Sequence, residues 1–94
     1  TAAEIVAKKL WHRGDRATAR DLFDLSLVIE REPDDLAAAA PFLVRHREAF
    51  LKEILQRRAV LSAQFEAIDA RDYQPRYDEA VERASHFLLG LPEA

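Results

Sequence analysis

Ninety-four residues suffice for one small domain, 1–94, and a chain this short buries a smaller share of its surface than a longer one. At 49% hydrophobic and 33% charged with only two glycines, and rich in Ala, Leu, Glu and Arg, the composition excludes a disordered chain and points to a helical one. The lack of cysteine excludes disulfides and thiolate metal sites and favours a reducing, cytoplasmic setting, while a net charge of -3 argues against a free-standing nucleic-acid binder.

The first element begins at once. Thr1 and Glu4 have the S/T-x-x-E form of a capping box, and Ala3, Val6, Ala7 and Leu10 then fall on one stripe, predicting a helix to about Arg13. Gly14 stops it, a position where glycine adopts the left-handed cap conformation cheaply. Thr18 and Asp21 repeat the capping arrangement and predict a second helix from Ala19 to about Arg31, before Pro33. Its apolar residues Leu22, Phe23, Leu25, Leu27, Val28 and Ile29 cover most of the circumference, the pattern of a central helix. The remaining polar arc, Arg20, Asp21 and Asp24, is then either exposed at one edge or paired in a cleft.

Asp34 or Asp35 is placed to cap a short helix through Leu36 to Ala40, and Pro41 suits the first turn of the next helical segment. From Phe42 to about Phe65 the period stays helical, as one helix or two, with Leu43, Phe50, Leu51, Ile54, Leu55 and Leu61 opposite Arg45, Arg47, Lys52, Arg57 and Arg58. Residues 69–75 are polar, end in a proline and read as a loop. A last helix from about Arg76 to Leu89, with Tyr77, Val81, Ala84, Phe87 and Leu88 inward, closes at Gly90. The expected fold class is all-α, a small bundle of four to six helices.

No apolar run approaches the roughly 20 residues of a spanning helix, and no secretory signal opens the chain, so no membrane partner is expected. The first residue is Thr rather than Met, and the expectation is a fragment of a longer protein. His12, His46 and His86 lack an i, i+4 partner suited to zinc, and no metal site is expected in this chain. The basic residues from Arg45 to Arg58 read as a solvated face rather than an RNA track, because Glu48 and Glu53 interrupt them. Trp11, Phe23 and Tyr77 read as core aromatics.

One stretch carries chemistry-like residues. Lys9-Leu10, Arg16 and Arg20-Asp21-Leu22-Phe23-Asp24-Leu25 place three cations and two carboxylates on segments that are otherwise apolar. Their spacing, K-L-x(5)-R-x(3)-R-D-L-x-D-L within Glu4 to Leu25, resembles the nucleotidyl transferases of the AbiEii/AbiGii toxin family. The resemblance implies a C-terminal helical region that completes the cleft of an N-terminal catalytic sheet domain, whose G-S and paired-carboxylate motifs this chain lacks. That domain would bind most of the Mg2+ and NTP, and this chain alone would be inactive. Lys9, with Lys8 as its rival, would contact nucleotide phosphates, Arg16 would reinforce it, and Arg20 would partner a carboxylate. Asp21 and Asp24 would supply the catalytic carboxylate pair, with Asp21 favoured as a general base or as the group that orients Lys9. The implied partners are the N-terminal domain, a cognate antitoxin, a tRNA or protein acceptor, and a second copy of the chain. The alternative is a stand-alone helical interaction or dimerisation module whose charged cluster is purely structural.

Overall fold

A computed structural model describes residues 1–92. It is all-α among those residues, with α1 (Ala2–Arg13), a 3₁₀ turn (Gly14–Arg16), α2 (Ala19–Arg31), α3 (Pro33–Ala38), α4 (Ala40–Leu43), α5 (Arg47–Gln56), α6 (Arg58–Glu66) and α7 (Tyr77–Leu89). The seven helices exceed the expected four to six because α3 and α4 are separate short turns and the 42–65 segment is interrupted. Helix α2 is the centre, packing on α1, α3, α6 and α7. Leu22 and Leu25 are fully buried in it, with Phe23 nearly so. Thr18 Oγ1 accepts from the Asp21 N–H at 3.1 Å and Asp21 Oδ2 accepts from the Thr18 N–H at 3.2 Å, a complete capping box that sets where α2 begins.

Three local expectations need correction. Gly14 is not left-handed; at φ -61° and ψ -20° it continues the right-handed turn. What requires glycine is proximity, since a Cβ there would lie 2.9 Å from the Cβ of His46 at the start of α5. Helix α3 begins at Pro33, whose ring suits a first turn that lacks N–H partners. Asp34 and Asp35 therefore lie inside that turn, where the helix dipole favours carboxylates, rather than capping a later start. Trp11 is half-buried and stands outside the core, edge-on to Phe42 with ring centroids 5.7 Å apart.

The segment from 42 to 65 is two long helices after the single turn of α4, and the break between them has a tertiary cause. Arg58 begins a new helix, so the Ile54 carbonyl does not serve the N–H four residues on. The Tyr77 hydroxyl donates to that carbonyl at 2.6 Å, from a residue buried at the start of α7. A side chain inserted into the backbone ladder is a known cause of kinks. The kink keeps Phe50, Ile54, Leu61 and Phe65 all buried around α2 and α7.

Arg47, expected on the solvated basic face, instead lies half-buried. It donates to the Leu88 and Leu91 carbonyls at 3.0 and 3.1 Å, satisfying the end of α7. Gly90, like Gly14, stays right-handed. Loop 67–76 is tied down by Tyr73, whose hydroxyl lies 2.6 Å from the buried Ser26 hydroxyl and accepts from Arg83 at 2.6 Å.

Candidate functional site

The charged cluster divides into a buried floor and an exposed lip. The floor is Asp21, 2% exposed through its side chain. Its Oδ1 accepts from Arg13 Nη2 at 2.6 Å and its Oδ2 accepts from the Thr18 N–H, so both oxygens are occupied. Arg13 was not singled out in the sequence, although it lies one turn after Lys9 on the same edge of α1. Its Nε is buried with no hydrogen-bond partner, and Asp21 meets the guanidinium through a terminal nitrogen alone.

Asp24 and two cations make the lip. Arg20 Nε donates to Asp24 Oδ1 at 3.0 Å along α2, and Lys9 Nζ reaches Asp24 Oδ2 from α1 at 3.8 Å. Lys9 and Arg20 are 44% and 64% exposed, against 19% for Asp24, so an anion arriving from solvent meets the cations first. The Arg20 guanidinium also lies 5.4 Å from the Phe23 ring centroid. Lys9, Arg20, Asp21 and Asp24 thus converge. Arg16 does not, since it points into solvent at 76% exposure beside Asp15 at 3.9 Å. Nor does Asp21 orient Lys9, which pairs with Asp24. Lys8 lies on the exposed face of α1, turned about 100° from Lys9 by the helical repeat.

The cleft over this cluster is lined by Val6, Lys9, Leu10, Asp21 and Asp24 and has no room inside it for even a water molecule. Ligand pockets run to about 300–1,000 Å³, so the cleft encloses no ligand, and an anion can meet its lip only from the solvent side. A roomier hollow of about 300 Å³, lined by Phe23, Phe65, Gln74 and Arg76 among others, shares no residue with it. Among the described residues no three His, Cys, Asp or Glu side chains come together to hold a metal ion. The two carboxylates of the cluster instead each face arginine or lysine. The arrangement is suited to fixing an anion at the lip, with Asp24 keeping the two cations extended in its absence.

Outside the cluster, burial raises the Tyr77 phenol above its ordinary value of 10.0, with the Arg58 guanidinium partly opposing it. The hydrogen bond and charge of Asp78 raise Arg58 in turn. Sequence periodicity missed the group formed by Trp11, Phe42 and Arg45, in which the Arg45 guanidinium lies 4.3 Å from the Trp11 ring centroid.

No helix among the described residues is long and apolar enough to cross a membrane. A family-wide sequence profile, described as the nucleotidyl transferase AbiEii toxin of type IV toxin–antitoxin systems, matches residues 1–87, far more than the Glu4 to Leu25 stretch. No curated protein and no solved structure matches the chain.

Proposed function

This chain belongs to the AbiEii nucleotidyl transferase toxin family, and from that premise we propose that it is the helical wall of a nucleotide cleft whose other wall is a catalytic sheet domain of the same protein. The full enzyme transfers a nucleotide from an NTP to an acceptor such as tRNA or protein. It does so in the cytoplasm, as the toxin half of a toxin–antitoxin or phage-defence pair. The observation that carries this reading is the exposed Lys9–Asp24–Arg20 lip over a cleft too small to hold a nucleotide by itself. Such a lip is complete only against a facing surface.

In this reading Lys9 supplies a compact point charge to the triphosphate and Arg20 a planar one. Both exchange Asp24 for phosphate oxygens as the ligand enters, which frees Asp24 to accept a hydrogen bond or a proton from the acceptor. Asp21 keeps Arg13 and the start of α2 in place beneath them and does not contact substrate. Magnesium would neutralise charge developing on the transferring phosphate, and carboxylates of the sheet domain, not Asp21 or Asp24, would hold it. Arg16 has no role in this arrangement.

The test is transfer of labelled nucleotide by the full-length protein with acceptor saturating. Lys9→Ala is expected to lower the rate by at least about 100-fold, as removal of a phosphate-stabilising group does. Lys8→Ala, on the exposed face, should retain most of it. Parent-like transfer by Lys9→Ala would remove Lys9 from the site, and a loss confined to Lys8→Ala would give the phosphate contact to Lys8.

A further inference from the structure

We propose a second binding site on the opposite edge of α1, a stacking platform of Trp11, Arg45 and Phe42 flanked by Lys8, which takes one unstacked base and the adjoining phosphate of single-stranded nucleic acid. Trp11 is half-buried and Phe42 is 45% exposed, and the two rings meet edge to face. The Arg45 guanidinium lies over the indole and donates through Nη1 to the Trp11 carbonyl at 3.2 Å. That hydrogen bond holds the plane in place, so little side-chain freedom is left to lose when a ligand stacks on its outer face.

The charges around the platform point to the ligand. At the α1–α2 cleft, Lys9, Arg13 and Arg20 each face a carboxylate, and Arg31, Arg57, Arg58 and Arg83 do so elsewhere. Lys8 and Arg45 have no carboxylate partner among the described residues, and Lys8 precedes Trp11 by three positions on the same face of α1. An acidic protein surface would neutralise these cations yet leave the flat outer face of the guanidinium unmatched. A base followed by a phosphate meets both, because every base has a π face and every link carries a charge. The overall charge of -3 opposes a long electrostatic track, which limits the site to a short segment. The platform shares no residue with the Lys9–Asp24 lip, so the inference stands or falls apart from nucleotide transfer.

The chain contains a single tryptophan, which makes the site its own reporter. Labelled oligouridine and oligoadenine of about eight nucleotides, within the site sizes of single-strand binders, are titrated against the 94-residue chain. Anisotropy and Trp11 emission are followed together. Both should respond to single strands, and neither to an RNA duplex or to oligoglutamate at the same concentrations. Arg45→Lys keeps the charge and removes the plane, and should weaken binding by about tenfold, the loss of one stacked base. Lys8→Ala should lower the slope of log affinity against log salt by about 1. Circular dichroism should show both variants folded, as expected for exposed side chains. Unchanged affinity in Arg45→Lys, equal binding of duplex, preference for oligoglutamate, or no response to single strands would each overturn the proposal.

Discussion

The two edges of α1 handle charge differently. Towards α2, Lys9 and Arg13 meet Asp24 and Asp21, and the innermost pair is sealed into the start of a helix. Towards α4, Lys8 and Arg45 meet aromatic rings or solvent and no described carboxylate. Matched cations hold the fold and yield only to a stronger anion, whereas unmatched ones contribute little to stability and remain available. Within the matched edge a milder division recurs between Asp21 and Asp24, identical groups three residues apart, the first sealed and the second partly open to solvent.

The largest expected effect is on the floor. Asp21→Ala removes the capping box and leaves Arg13 without its partner, and should cost about 2–3 kcal/mol, lowering Tm by roughly 10 °C or more. Asp24→Ala, on the lip, should cost under about 1 kcal/mol. Equal losses in thermal melts would erase the distinction between floor and lip. The Tyr77 hydroxyl lies away from both edges and gives a control of similar size. Tyr77→Phe leaves the Ile54 carbonyl buried and unpartnered, at about 1–3 kcal/mol, with both α1 edges unchanged.

The same residue sets a pH dependence. Its phenol is raised above 10.0 in the folded protein, so the contribution it makes is fully present below about pH 10 and is lost as pH rises through the raised value. Tyr77→Phe should therefore flatten the alkaline fall of Tm, and an unaltered fall would assign it to other groups. At the end of α1, where the two edges meet, Gly14→Ala should cost about 1 kcal/mol. The new Cβ displaces His46 by more than the stiffer unfolded chain returns. A stabilised Gly14→Ala would mean that α5 moves aside easily. Smallest is Arg45→Ala, expected to cost about 0.5–1 kcal/mol, the loss of an exposed cation–π contact with Trp11 and of the hydrogen bond to its carbonyl.

Helices α1, α2 and α7 were legible because their signals are local. The Thr18–Asp21 box and the apolar period in Leu22 and Leu25 lie within the elements they define. The break at Arg57 was not legible, since the hydroxyl that takes the Ile54 carbonyl comes from 23 residues away. Gly14 was legible as a stop and misread in its cause, because sequence reports the residue and not the His46 Cβ that crowds it. In the site, residue types were legible and pairing was not. Spacing puts Asp21 and Asp24 on one face, but only packing shows that Arg13 and Thr18 occupy the first and leave the second to Lys9 and Arg20. Trp11 read as core because an aromatic at the border of an apolar stripe looks the same whether its neighbour is a helix or solvent.

Nucleotide transfer by the full-length protein carrying Asp24→Asn or Asp21→Asn, at a temperature where melting shows both folded, decides whether the lip or the floor carries the chemistry. Asp24→Asn should abolish transfer. Asp21→Asn, whose amide still caps α2, should transfer in proportion to its folded fraction, and the reverse outcome would place the chemistry on Asp21 and contradict the division of floor from lip.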